Sequence, residues 1–143
     1  YLQMNTIKTF VFSSYLDFID KNAQTINENA SINDLFELVK NGNKNLFAVL
    51  NSDNKLKGIL TLDDIRPYLF NQENNAALPV TKIMKAPPAL IKVEDKPLEI
   101  LQVFDDTGSW NLPVVDQSNV FIGFISKSSI LMSYRQVLKG YSE

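Results

Sequence analysis

One phrase occurs twice in this chain, and that repetition constrains the fold more than any other feature. Residues 58–65 read GILTLDDI and residues 123–130 read GFISKSSI. Each has a glycine, two apolar residues, a hydroxyl, two variable positions, a polar residue and an isoleucine. At the shared polar position an acid is lost: Asp64 in the first copy is answered by Ser129 in the second. The correspondence reaches backwards. At the offset that carries Asn45 to Asn111, Glu28 meets Glu94, Leu35 meets Leu101, Leu46 meets Leu112 and Val49 meets Val115. The offset shortens by one residue before Gly58 and Gly123, as expected of a turn deletion. Ordered matches with one loop indel mark a duplicated structural unit.

Each copy reads as strand, helix, strand, strand, helix. In the first, AQTI is extended and SINDLFELVKNG is helical. Ser31 and Asp34 have capping-box spacing, Ile32, Leu35, Phe36 and Val39 fall on one helical face, and Gly42 supplies a stop. LFAVL and LKGILT flank the turn cluster NSDNK, and DDIRPYLF closes the copy as a short helix. In the second, ALIKV is extended, LEILQVFDDTG is a helix opened by Pro97 and ended by Gly108, NLPVVD and FIGFIS pair, and SSILMSYRQVL is a longer closing helix. The fold class is α/β (α+β): two βαββα motifs packed with pseudo-twofold symmetry. A unit of about 60 residues is marginal alone, so the copies are expected to share one core. Residues 1–13 read as a linker from a preceding segment, 14–75 as the first motif and 76–143 as the second. Asn71–Ala77, NQENNAA, is the polar strip between them. The first residue is not Met, and the chain reads as a piece of a longer protein.

Composition excludes several chemistries. Cysteine is absent, and with it disulfides and thiolate chemistry; histidine is absent, and with it the commonest general base and metal ligand. The net charge is −2 with no basic stripe, which argues against nucleic acid as a partner. No apolar run is long enough to span a bilayer. The pairs Asp63–Asp64 and Asp105–Asp106 read as helix-end and surface charge. Lys82 and Lys85, in PVTKIMKAPP, read as the approach to the second motif. Gly58 and Gly123 read as places where a Cβ would not fit between close strands. Asp64 has a structural reading as the N-cap of a helix whose first turn holds Pro67, and Ser129 caps nearly as well.

The repeated βαββα unit with NLFAVL…GILTLDDI and NLPVVD…GFISKSSI resembles a pair of CBS motifs, a Bateman module, over roughly residues 14–138. LTLDDIRPYLF, TGSWNLPVVD and GFISKSSILMSYRQVLKGYSE further resemble the cytoplasmic C-terminal tail of bacterial CLC-type chloride channels and transporters, Tyr134-Arg135 included. That resemblance implies a non-catalytic regulatory module at the cytoplasmic face of the inner membrane. It would be homodimeric and tied to the membrane-embedded transport domain of its own chain. Similar modules also regulate soluble enzymes such as IMP dehydrogenases and pyrophosphatases; the third alternative is a dimerisation module with empty clefts.

The resemblance also implies an adenine nucleotide (ATP, ADP or AMP) as a regulatory ligand, with no cofactor required. A carboxylate can accept from both vicinal hydroxyls of a ribose, and such charged hydrogen bonds are strong. The implied cleft combines Thr61 for phosphate and Asp64 for ribose with Ile91, Trp110, Asn111 and Leu112. Trp110 reads either as a ring near the base or as a core or interface anchor. The second cleft would combine Thr25, Lys44, Asn45 and Leu46 with Ser126 and Ser129. It keeps the phosphate hydroxyl and loses the ribose carboxylate, so one nucleotide site per chain is expected.

Overall fold

A computed structural model describes residues 15–70 and 75–141. The linker expected over residues 1–13 and the first part of the NQENNAA strip lie outside the described residues. In chain order the elements are β1 (Gln24–Asn27), α1 (Ile32–Asn41), β2 (Leu46–Leu50), β3 (Leu56–Thr61), α2 (Leu62–Leu69), a 3-10 turn (Val80–Lys82), β4 (Ile91–Lys92), α3 (Pro97–Thr107), β5 (Asn111–Val115), β6 (Phe121–Ser126) and α4 (Lys127–Tyr141). The βαββα order is present in both copies, as two three-stranded sheets ordered β1-β2-β3 and β4-β5-β6.

The compact units and the sequence repeat divide the chain differently. One unit holds residues 22–87 with 118–121; the other holds residues up to 21 with 88–117 and those from 122 onward. The segment preceding each motif therefore packs with the other motif's sheet. Backbone pairing accounts for this. Asp20 N–H donates to Phe124 O (2.8 Å) and Phe124 N–H to Asp20 O (3.3 Å), on β6. Lys85 N–H donates to Ile59 O (3.0 Å) and Ile59 N–H to Lys85 O (2.9 Å), on β3. The offset that relates Gly58 to Gly123 also relates Asp20 to Lys85. These two straps satisfy strand edges whose polar groups would otherwise lie unpaired. Lys85, expected to introduce the second motif, instead closes the first motif's sheet.

The straps explain the repeated glycine. A Cβ on Gly58 would sit 2.8 Å from Met84 Sδ and 3.1 Å from Lys85 O, and one on Gly123 would overlap the Asp20 carbonyl oxygen. Each unit closes a buried cluster of its own. Ile26, Leu35, Phe47, Val49, Leu60, Ile65 and Val80 form the first. Tyr15, Ile19, Ile91, Ile100, Phe104, Leu112, Val114, Ile125 and Ile130 form the second. Burial raises the pKa of the Tyr15 phenol, helped by the carboxylates of Asp95 and Glu94, and its hydroxyl donates to Lys92 O (3.3 Å).

The helices carry the caps their sequence calls for, with displacements at the two strand-to-helix junctions. α1 has the Ser31–Asp34 capping box. α3 opens on Pro97 and ends at Gly108, whose φ of 65° is the left-handed conformation that favours glycine. α2 starts at Leu62, one residue before the expected DDIRPYLF. Its N-cap is Thr61, not Asp64, and Pro67 lies inside the helix rather than in its first turn. β3 runs directly into the helix, so the last strand residue becomes the cap.

Candidate functional site

The strand-to-helix junction of the first motif is built around Asp64. Thr61 holds extended dihedrals (φ −114°, ψ 166°), and its Oγ1 accepts from Asp64 N–H at 3.4 Å. Asp64 Oδ2 returns the bond, accepting from Thr61 N–H (2.8 Å) and from the Thr61 hydroxyl (2.9 Å). This is a reciprocal capping box, which satisfies donors that a helix start leaves without partners. Asp64 Oδ1 faces the strap, 3.2 Å from Lys85 Nζ, with the carboxylate side chain 20% exposed and the lysine 52% exposed. Burial pushes the Asp64 pKa upward, but the Thr61 and Lys85 hydrogen bonds and the lysine charge outweigh it and hold the carboxyl below its ordinary value. The group is an anion at neutral pH, at a helix N-terminus that favours negative charge.

The second motif's junction is built from hydroxyls. Ser126 Oγ accepts from Ser129 N–H (3.1 Å) and donates to Ser129 Oγ (2.7 Å), with Ser128 Oγ at 3.1 Å. The cap is therefore Ser126 rather than the expected Ser129. Where the first junction has Asp64, this one has the hydroxyl of Ser129.

Within each unit the junction meets the strand head of its own motif. Leu46 pairs with Thr61 across β2 and β3, and Leu62 N–H donates to Asn45 O (3.2 Å). In the other unit Lys127 N–H donates to Trp110 O (2.9 Å). The residues grouped from sequence into two clefts thus sort by motif: Thr25, Lys44, Asn45, Leu46, Thr61 and Asp64 in one unit, and Ile91, Trp110, Asn111, Leu112, Ser126 and Ser129 in the other. Thr25 and Asn45 are exposed and Lys44 half-buried. Ile91 and Leu112 have fully buried side chains in the apolar cluster of their unit, whereas Asn111 is exposed.

Trp110 is 71% exposed, which rules out the reading of it as a core anchor. Lys127 Nζ lies 5.5 Å from the ring centroid, within cation–π range. The same ammonium is 2.7 Å from Asp105 Oδ1, which fixes it over the ring. Asp63 pairs with Arg66 one turn on, and Asp106 accepts from Gln102 Nε2 (2.8 Å), so these two acids act as surface charge, whereas Asp64 is built into the helix start. Among the described residues no group of acids could hold a metal, and no helix is long and apolar enough to cross a membrane.

Two cations escaped sequence reasoning, Lys85 beside Asp64 and Lys127 over Trp110. Lys127 follows the repeated hydroxyl directly and had a local signal. Lys85 had only a long-range one, its equivalence to Asp20 under the repeat offset.

A family model described as CBS domain matches residues 16–71 and again 80–135. Among curated proteins the chain is 26% identical over 136 residues to a homoserine O-acetyltransferase of Methanococcus vannielii and 26% identical over 119 residues to an uncharacterized protein of Methanocaldococcus jannaschii. These matches cover 91% and 82% of this chain. The chain spans only 28% and 42% of those relatives' lengths. Among solved structures, a CBS domain protein from Streptococcus pneumoniae superposes with a TM-score of 0.73 at 22% identity, covering 96% of this chain and 97% of that one. CBSX2 in complex with AMP gives 0.69 at 19% identity (85% and 96%). The cytosolic domain of the Mg2+ channel MgtE in complex with ATP gives 0.69 at 17% identity (80% and 46%).

Proposed function

This chain belongs to the CBS-domain family, with two motifs in tandem, and from that premise we propose that it is a regulatory rather than a catalytic module that senses an adenine nucleotide. The observation that carries the nucleotide reading is Asp64: a partly exposed carboxylate, held ionised, at the strand-to-helix junction of the first motif. Its chemistry is that of an acceptor for ribose hydroxyls, and the Thr61 hydroxyl beside it already gives its one proton to Asp64 Oδ2. The second junction offers a neutral hydroxyl pair at Ser126 and Ser129 and no such acceptor, so one site per chain follows. The AMP and ATP held by two proteins of the same fold support the choice of ligand class.

Calorimetric titration of the chain with AMP, ADP and ATP tests the reading. One site per chain is expected, with Asp64→Ala weakening it by more than about 1.5 kcal/mol, the lower end for a hydrogen bond to a charged group. Absence of heat and of any thermal shift with all three nucleotides rejects it. Ligand can regulate a host only through different affinity for two of its arrangements.

For the host, we favour the cytoplasmic side of a membrane-embedded chloride channel or exchanger, in a homodimer. The support is the likeness of LTLDDIRPYLF, TGSWNLPVVD and GFISKSSILMSYRQVLKGYSE to that family's tail. A second reading, a regulatory segment of a soluble enzyme, is favoured by the acetyltransferase relative, of which the match covers a minor part. Flanking coding sequence distinguishes them: repeated apolar segments of membrane-spanning length support the first, and an enzyme domain the second.

A further inference from the structure

We propose that Lys85 competes with the nucleotide for Asp64, so that the strap closing the first-motif sheet also sets the affinity of its site. The proposal rests on the reading of Asp64 as the ribose acceptor and concerns what already occupies it.

Acceptor capacity gives the argument. An ionised carboxylate offers about four lone-pair sites. On Asp64 Oδ2, the Thr61 N–H and hydroxyl take two, at 2.8 Å and 2.9 Å. On Oδ1, Lys85 Nζ takes a third, at 3.2 Å. One site remains, whereas a vicinal diol that donates both protons needs two. One present partner has to leave. The Thr61 N–H is backbone at the N-cap and stays as long as α2 does. The Thr61 hydroxyl is part-buried and also accepts from Asp64 N–H. Lys85 is the partner that can go, because its side chain is 52% exposed and regains water on release. Its backbone need not follow, since the two bonds with Ile59 hold the strap in place. Lys85 is thus a positioning and gating residue: docked, it orients the carboxylate and fills one acceptor site; released, it yields that site to the second hydroxyl.

An exposed ion pair is worth little, so the expected gain from its loss is small but measurable, threefold to fivefold in affinity. Lys85→Met keeps the apolar stem and removes the ammonium. In calorimetry on the 143-residue chain, AMP should bind this variant threefold to fivefold more tightly than wild type, and Lys85→Arg should restore wild-type affinity. The 2′,3′-dideoxy analogue of AMP, which has no diol, should show no gain. A merely structural role would not separate the two ligands. Equal or weaker AMP binding in Lys85→Met, or the same gain for the dideoxy analogue, overturns the proposal. If wild type binds AMP and Asp64→Ala weakens it, such a result removes the lysine contest alone. If wild type binds no adenine nucleotide, the functional reading falls with it.

Discussion

The two strand-to-helix junctions, Thr61–Asp64 and Ser126–Ser129, do the same backbone work with different chemistry. Both place a β-strand hydroxyl so that it accepts the N–H three residues on, and both begin a helix at the next residue. The first adds a carboxylate that returns a bond to the cap's own N–H and reaches a lysine. The second adds only a hydroxyl. The first hydroxyl in the phrase therefore belongs to the fold, and the acid is what the fold does not require. A duplicated unit keeps the residues its geometry demands and is free to change those that add charge or binding.

The straps extend the comparison, and the largest expected effect lies there. Gly123 and Gly58 occupy equivalent positions, but a Cβ on Gly123 would run into the backbone carbonyl of Asp20, whereas one on Gly58 meets first the flexible side chain of Met84. Gly123→Ala has to displace the strap and its two hydrogen bonds with Phe124, at a cost of about 3 kcal/mol, the upper part of the range for overpacking. Gly58→Ala is expected to cost about 1 kcal/mol, as Met84 turns aside and Lys85 O gives slightly. Urea unfolding of both variants checks this. Equal destabilisation would mean that the two straps are held alike.

The next effect separates the junctions directly. Asp64→Ala removes the bond to the Thr61 N–H and the lysine pair, and should cost about 1–2 kcal/mol. Ser129→Ala removes one hydroxyl bond and should cost about 0.5 kcal/mol. The difference depends on pH with a defined sign. The folded-state pKa of Asp64 lies below its ordinary value, although burial alone would raise it, because the Thr61 and Lys85 bonds dominate. Its contribution is therefore complete above the ordinary carboxylate range and is lost as pH falls through the depressed pKa. Wild type and Asp64→Ala should converge in stability on acidification, while Ser129→Ala should keep a constant offset. A pH-independent gap for Asp64→Ala would contradict the assignment.

These junctions also show what a sequence can and cannot give. Strand order, helix faces and the repeat were legible because apolar periodicity and turn residues act locally. Leu35, Phe36 and Val39 mark the face of α1 that packs on the buried cluster, and Ile32 on that face is itself buried. The cap was misplaced by three residues because GILTLDDI holds two good capping residues, Thr61 and Asp64. Only the direct run of β3 into α2 decides between a cap at Thr61 and one at Asp64. The exchange of straps was not legible. Asp20–Phe124 and Lys85–Ile59 are backbone pairings that leave no side-chain signature beyond the small residues opposite them. The ion pair of Lys85 with Asp64 follows from that exchange and was hidden with it.

The smallest expected effect asks why the second copy tolerates Ser129. The strap position equivalent to Lys85 is Asp20, whose backbone pairs with Phe124 as that of Lys85 pairs with Ile59. Both ends of the first junction's ion pair are thus altered together in the second: lysine to aspartate on the strap, aspartate to serine on the helix. An acid at position 129 would complete a capping box with Ser126, a gain of about 0.5–1 kcal/mol. It would also meet a strap that carries a negative charge where the first copy has a positive one. Ser129→Asp should therefore leave stability within about 0.5 kcal/mol of wild type. Asp20→Lys combined with Ser129→Asp rebuilds the first junction's charge pattern in the second, and should be more stable than the sum of the single changes by about 0.5–1 kcal/mol. Such a coupling is what a double-mutant cycle isolates. Near-zero coupling would mean that the strap charge does not reach the junction and that the loss of the acid is independent of Asp20. A positive coupling would mean that the two straps, not the phrases GILTLDDI and GFISKSSI alone, decide which junction can hold a carboxylate.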